Sequence, residues 1–480
     1  MNIAMLIDMA AEGFGDRIAF GSLDDGVTYS QLRINAQRIA SRLVASPART
    51  LAVSCETSLL IPSALFGAAW AGKTYAPLNY RLPQNTQSEL LRRLDPADLA
   101  DSEWLKTSKE LENFIDEPEN PAVVLFTSGT TAEPKAAVLD HSQLLAYQFN
   151  TVEFGGAEES EAVLLAVPPF HIAGVTALLT STYTGRRVVA LPQFDPEAWL
   201  ATARNENITH AFLVPTMLAR IVSTLEESGG TAPSSLQRIT YGGARLPISV
   251  LQRALDYFPT TGFANAYGLT ETSSTVTLLG PDDHRTAHAS DDPTDKARLG
   301  SAGRPVPGIE IRVIASSGEV AENHTTGKIE VRGDQVSGDY LGSYRDRSDW
   351  LATGDCGYLD DEGFLFVEGR DDDTIIKGGE NISPAEIEDA LLTHPEVDSV
   401  AVVGIYDEEW GEKIGAVVVT RTGSQITTDE LQTWTKEKVG SFKTPSVILM
   451  RFELPLTPTG KVMHRQVRSD LEALGQQSET

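Results

Sequence analysis

Short apolar runs set between stretches of helical period are the feature that most constrains this chain. Thr50 to Val53, Ala122 to Phe126, Ala162 to Val167, Arg187 to Leu191 and Ala211 to Val214 are each four to six residues long and mostly aliphatic. A strand wet on one face alternates apolar and polar residues. A continuous apolar run needs cover on both faces, which helices packed over a largely parallel sheet provide. Near the start, Val27 to Ser30 leads into Leu32, Ala36, Ile39, Ala40 and Leu43. That apolar recurrence at three and four residues predicts an amphipathic helix, with Ser or Thr available as its cap. An α/β core follows.

The texture then changes twice. Ile309 to Val313 and Gly327 to Arg332 alternate strictly, as half-exposed antiparallel strands do. After Gly369-Arg370 comes the charged junction Asp371-Asp372-Asp373, and beyond it a third pattern. Ala385 to Leu392 reads as a helix with Ser383 as cap and Pro384 at its first position. Val400 to Val403 and Gly415 to Val419 read as strands, and Thr428 to Val439 as a further helix. The junction divides the chain into residues 1–370 and a small α+β domain, residues 371–480.

Composition bounds function. The 480 residues exceed one ordinary core at about 150 residues per domain. Asp and Glu outnumber Lys and Arg by 67 to 39, a net charge of −28, which argues against a broad nucleic-acid grip. It leaves room for a local basic pocket. Two distant cysteines, Cys55 and Cys356, make neither a disulfide framework nor a Cys-rich zinc site, and they fit a reducing, cytoplasmic setting. The first residues carry Asp8 inside their apolar stretch and no Lys or Arg before Arg17, unlike a signal peptide. Thr57 to Gly72 is too short to span a bilayer, and Ala162 to Gly185 is interrupted by Pro168-Pro169 and His171. Both read as buried core, with no integral membrane association.

Five segments carry chemistry. Phe126-Thr127-Ser128-Gly129-Thr130-Thr131-Ala132-Glu133-Pro134-Lys135 runs from a strand into a loop of hydroxyls ending in a lysine, donors that suit a polyphosphate. A Walker A loop is excluded: Pro134 replaces its second Gly, Ala136 its metal-binding hydroxyl, and Ala136 to Leu139 reads as a strand. A polar hairpin turn is the plain alternative for this segment. Ala266-Tyr267-Gly268-Leu269-Thr270-Glu271 offers a ring to stack on a base and a carboxylate for Mg²⁺. Thr353-Gly354-Asp355 carries an acceptor for ribose hydroxyls, although most such Asp residues form turns. Gly369-Arg370, followed by Lys377-Gly378-Gly379-Glu380, is the fourth segment, and Thr457-Pro458-Thr459-Gly460-Lys461 the fifth. Taken singly, each reads as readily as an ordinary turn or solvated side chain.

In this order and spacing the five segments resemble the adenylate-forming superfamily of acyl-CoA synthetases, luciferases and peptide-synthetase adenylation domains. The resemblance runs from Val27-Thr28-Tyr29 and Pro77 to Leu82 through to Lys461. It implies a large composite N-terminal domain of mixed parallel sheets with helices and a small β-barrel-like subdomain, plus a mobile α+β C-terminal domain. It implies ATP, Mg²⁺ and CoA, and a carboxylic acid that is first adenylated and then passed to a thiol. Thr127 to Thr131 and Lys135 correspond to the β/γ-phosphate loop. Gly243, Ala244, Asn265, Ala266, Tyr267 and Gly268 correspond to the adenine surroundings. Thr270 would meet the α-phosphate, Glu271 the Mg²⁺, and Asp355 with Arg370 the ribose. His171, Gly174 and Gly242 correspond to the acyl pocket, Gly378 and Gly379 to the pantetheine passage, and Asp372 to the hinge. Lys461 corresponds to the lysine that bridges the acyl oxygen and the α-phosphate.

Three departures from the family pattern stand out. Ala132 and Ala136 occupy positions where Gly is usual, which is tolerable only if neither needs positive φ. The stretch between Leu82 and Pro121 is short for the family. Arg245 follows Gly-Gly-Ala where Pro is common; it suits a surface salt bridge, or else a distal acid on the substrate. Three functions remain in view: a CoA ligase, a stand-alone enzyme loading a separate carrier protein, and a degenerate nucleotide binder. The chain ends nineteen residues after Lys461, which favours free CoA or a separate carrier. Lys461, Glu271, Asp355 and Arg370 argue against the degenerate binder.

Overall fold

A computed structural model describes residues 1–127, 134–346, 349–378, 380–421, 423–457 and 462–477. Ser128, Gly129, Thr130, Thr131, Gly379 and Lys461 lie outside the described residues, as does Ala132.

The continuous apolar runs become strands of two sheets covered by helices. In the larger, Gly262–Leu269, Arg238–Gly242, His210–Leu213, Ala162–Leu165, Arg187–Ala190 and Ile18–Phe20 lie side by side and parallel. Antiparallel strands close each edge: Ser274–Leu279 with Arg304–Pro305 on one side, Val27–Thr28 on the other. The second sheet orders Asp339–Tyr340, Lys135–Leu139, Val123–Thr127, Thr74–Pro77, Thr50–Val53 and Ala97–Ala100, parallel from the third strand onward. The predicted N-terminal helix is Tyr29–Val44; Thr28 and Gln31 cap it reciprocally, and Leu32, Ala36, Ile39, Ala40 and Leu43 are buried. The first uncharged stretch yields helix Leu60–Trp70, buried along its whole length. The second yields strand Ala162–Leu165 and helix Ile172–Thr184. Among the described residues no helix is long and apolar enough to cross a membrane.

The alternating segments pair as read. Ile309–Ile314, Gly327–Gly333, Leu351–Leu359 and Leu365–Arg370 form one antiparallel sheet. Beyond Asp371–Asp373, a short 3₁₀ turn, a five-stranded sheet is built on the hairpin Val397–Asp407 and Gly411–Thr420. Helices Pro384–Leu392, Thr428–Val439 and His464–Gln477 accompany it. Ser383 stands at the N-cap position but does not cap. Its hydroxyl donates instead to Glu368 O at 2.9 Å, across the junction, so it serves a tertiary contact rather than the N–H groups of its own helix.

Candidate active site

Parallel strands leave their carboxyl ends open, and ligands of α/β sheets gather there. Thr127 ends strand Val123–Thr127, Gly242 ends Arg238–Gly242, and Thr270 follows directly on Gly262–Leu269. Three of the sequence motifs thus sit at strand ends because the strands are where the apolar runs are. Lys135 opens the return strand Lys135–Leu139, in register with Thr127, and Ala136 faces Phe126. The segment is a hairpin, as the rejection of a Walker A loop required. Ala136 is ordinary buried strand, absent from the positive-φ positions, so alanine costs nothing there.

The segment Ala266 to Leu269 lies in strand Gly262–Leu269, beside Arg238–Gly242 with Gly242 opposite Ala266. Gly243 has φ +83 and, like Ala244, is exposed. Asn265 Nδ2 donates to Ser301 O at 2.9 Å. Gly268 permits the closest backbone approach: a Cβ there would stand 1.9 Å from Ser274 O. After it the chain turns through Thr270–Thr272, and Ser273 and Ser274 take φ of 53 and 126, a left-handed pair without glycine. Gln335 Nε2 donates to Thr272 O and Thr275 O, which holds this turn in place.

Asp355 and Arg370 are paired across antiparallel strands, so sheet register alone puts them side by side. Arg370 Nη1 donates to Asp355 Oδ1 at 3.1 Å and to Thr353 O at 2.9 Å. Tyr267 Oη donates to Asp355 Oδ2 at 2.6 Å. Asp355 is nearly buried while the Arg370 side chain is 49% exposed, so one carboxylate anchors a cation that faces outward. Burial and the Asp355 charge push the Tyr267 phenol well above its ordinary value, so it stays a donor.

A second string lies along the strand that Lys135 opens. Tyr340 Oη donates to Glu271 Oε1 at 2.6 Å, and Lys135 Nζ sits 5.4 Å from the centre of the Tyr340 ring. Ser337 N donates to Glu271 O at 2.8 Å. Burial, then Glu271, raises the Tyr340 phenol, which therefore also stays protonated. Tyr340 escaped the sequence reading. No spacing marks it; Tyr340 arrives because Asp339–Tyr340 pairs with Lys135–Leu139 from far away in the chain.

His171 occupies the N-cap position of helix Ile172–Thr184, its ring 4.5 Å from Phe170, and Phe170 lies 5.7 Å from Tyr80. Gly174 is buried where a Cβ would meet Pro168 O at 2.8 Å. Thr176 Oγ1 donates to Ser274 Oγ at 3.4 Å, joining this helix to the Glu271 turn. Farther off, Gly378 turns the hairpin Ile375–Lys377 to Glu380–Ile382 at φ +58, exposed, its N–H on Trp410 O. Asp372 is exposed at the middle of its 3₁₀ turn. Arg245 makes the ion pair expected of a surface arginine, and its partner is Asp389 on helix Pro384–Leu392.

Comparison with known proteins agrees with this arrangement. The model of the AMP-binding enzyme family matches residues 87–341, and that of the AMP-binding enzyme C-terminal domain matches residues 386–461. The 2-succinylbenzoate–CoA ligase of Bacillus mycoides (strain KBAB4) is 30% identical over an alignment of 486 positions, gaps included, covering 96% of this chain and 97% of that protein. The o-succinylbenzoate CoA synthetase of Bacillus subtilis, solved with its acyl-adenylate intermediate, superposes with a TM-score of 0.82 at 29% identity, over 96% and 97% of the two chains. The same enzyme, solved with ATP and magnesium ion, gives 0.80 at 28%, over 97% and 99%. An amide bond synthetase of Marinactinospora thermotolerans gives 0.84 at 25%, over 97% and 99%. Strand-end motifs, the Asp355–Arg370 pair and both family matches lead to one conclusion: the chain belongs to the AMP-binding enzyme family.

Proposed function

We infer that this AMP-forming acid–thiol ligase activates a carboxylic acid of the 2-succinylbenzoate class and transfers its acyl group to CoA, through the residues gathered at these strand ends. In the first step a carboxylate oxygen attacks the α-phosphorus of ATP, an O–P bond forms, and pyrophosphate leaves with the electrons of the broken bond. In the second the CoA thiol attacks the acyl carbonyl, AMP departs, and the thiol proton goes to solvent. Anion meets anion in the first step, so the site must concentrate positive charge on a protein whose net charge is −28.

The observation that carries the reading is the pair of charge strings, Tyr267–Asp355–Arg370 and Lys135–Tyr340–Glu271, joined by the one segment 267–271. Asp355 and Arg370 hold the ribose hydroxyls, Tyr267 with Gly243, Ala244, Asn265, Ala266 and Gly268 flanks the base, and Thr270 meets the α-phosphate. Lys135 and Thr127, with Ser128 to Thr131, hold the outer phosphates. The donor set fits magnesium. Glu271 gives Oε1 to Tyr340 and keeps Oε2, and no cluster of three or more His, Cys, Asp or Glu exists among the described residues. One carboxylate with substrate phosphates and water is how magnesium is commonly held. When bound it offsets charge on the phosphate oxygens.

His171, Gly174 and Gly242 line the acyl pocket, with the Thr176–Ser274 contact closing one wall. Residues 371–480 act as a small domain that turns about Asp372, presenting Lys461 for the first step and the Gly378-Gly379 turn, along which the pantetheine arm passes, for the second. The part-exposed thiols of Cys55 and Cys356 suit a reducing cytoplasm.

Pyrophosphate release from ATP, measured over a panel of carboxylic acids that includes 2-succinylbenzoate, tests the reading. Release with no acid on the panel overturns it. Adding CoA, a phosphopantetheine carrier protein or an amine to the active acid then identifies the acceptor. Lys461→Ala should slow adenylation by about 100- to 1,000-fold while sparing thioester formation from supplied acyl-adenylate. Equal loss in both half-reactions removes Lys461 from the mechanism.

A further inference from the structure

Arg245 stands three residues beyond the end of strand Arg238–Gly242, next to the Gly243-Ala244 pair at the nucleotide. Its guanidinium turns away from that strand. Nη1 donates to Ala385 O at 3.0 Å and Nη2 pairs with the Asp389 carboxylate. Both acceptors belong to helix Pro384–Leu392, the first helix after the hinge. At the start of the same helix, Ser383 Oγ donates to Glu368 O, two residues before Arg370. The helix is thus tied at one end to the strand that carries Arg370 and along its flank to the loop that carries Gly243. Its other charged side chains look inward to their own domain: Glu386 pairs with Lys443, and Glu388 Oε1 accepts from Val402 N.

We propose that Arg245 is a positioning residue whose bonds to Ala385 and Asp389 hold the small domain in one of its two working poses, and so set the balance between adenylation and thioester formation. This rests on the domain rotation about Asp372 described above. The planar guanidinium reaches a carboxylate and a carbonyl together, which fixes orientation as a lysine could not. Arg245 and Asp389 side chains remain 37% and 34% exposed, so water competes for both. An ion pair this exposed shifts an equilibrium by about two- to fivefold, a bias strong enough to favour a pose and weak enough to open in each turnover.

The test uses the full-length enzyme with the most active acid and its synthetic acyl-adenylate. ATP–pyrophosphate exchange reports adenylation, and CoA thioester formation from the supplied adenylate reports the second step. Arg245→Ala and Asp389→Ala should move the ratio of the two rates in the same direction by about two- to fivefold. The exchanged pair R245D/D389R should bring the ratio back toward wild type. Raising ionic strength should move the wild-type ratio the same way and leave that of Arg245→Ala in place. A ratio unmoved by either substitution, both rates falling together, or an exchanged pair that restores nothing overturns the proposal. A wild type that shows neither half-reaction instead fails the ligase reading beneath it.

Discussion

At the residue scale, Asp355 has the most to do: one carboxylate receives Tyr267 Oη on one oxygen and Arg370 on the other. Hydrogen bonds to a charged group contribute about 1.5–3 kcal/mol, so Asp355→Ala should raise KM for ATP by roughly 10- to 100-fold. Tyr267→Phe removes only a bond that orients the carboxylate and should cost about tenfold or less, since an ordinary intramolecular hydrogen bond contributes about 0.5–1.5 kcal/mol. Pyrophosphate-release kinetics over an ATP series check both, and an unchanged KM would detach Asp355 from the nucleotide. Asp355 and Arg370 were legible in the sequence because the order of Thr-Gly-Asp and Gly-Arg among the five segments carries the family resemblance. Tyr340 was not, since a tyrosine becomes a partner of Glu271 only when a strand from elsewhere lies beside Lys135.

At the element scale, the approach of Gly262–Leu269 to Ser274–Leu279 governs the site. A methyl group on Gly268 would collide with Ser274 O, backbone against backbone, and no side chain could move aside. Gly268→Ala should therefore destabilise the protein by about 1–3 kcal/mol and raise KM for ATP as the strands part. A denaturant titration paired with kinetics checks this; a stable variant with normal KM would show that the strand pair has slack. The proposed hinge belongs to the same scale. Asp372 lies in the 3₁₀ turn Asp371–Asp373, where Asp371 is held by Lys328 and Asp373 lies 3.4 Å from His464 Nδ1. Asp372→Pro stiffens the middle of that turn and should impair thioester formation more than adenylation. Equal, normal rates in the separated half-reactions would place the pivot elsewhere. Ser383 carries the complementary lesson: helix start and cap position were readable, while the use of its hydroxyl was decided by a neighbour in space.

At the scale of the whole molecule, buried histidines set the pH range of stability. His284 is sealed between Gly280 O and Tyr241: the carbonyl can only accept, so Nδ1 carries the proton and Nε2 receives the phenol. Burial depresses it to about 4, and burial does the same to His141. The unfolded chain binds a proton near pH 6.5 and the folded one does not, so stability is full above 6.5 and falls as pH drops toward 4. The loss reaches up to about 3 kcal/mol for each histidine at the lower limit. The thermal midpoint should be level above pH 7 and decline below 6.5, and His284→Asn should flatten that decline. A midpoint insensitive to pH in this window would mean that these rings take up protons in place.

Over the whole chain, the sequence by itself determined most of the strands and helices and the order of the motifs that carry the family resemblance. These depend on local period, on turn chemistry and on side chains that sit within a few residues of one another. Tertiary structure alone decided which motifs meet. Sheet register set Asp355 against Arg370, strand pairing carried Tyr340 to Glu271, and the packing of helix Pro384–Leu392 gave Arg245 its partner. Contacts between residues this far apart in the chain follow from the three-dimensional path of the backbone, which no local pattern encodes. On an acidic chain, it is those contacts that assemble the few positive groups an anionic substrate needs.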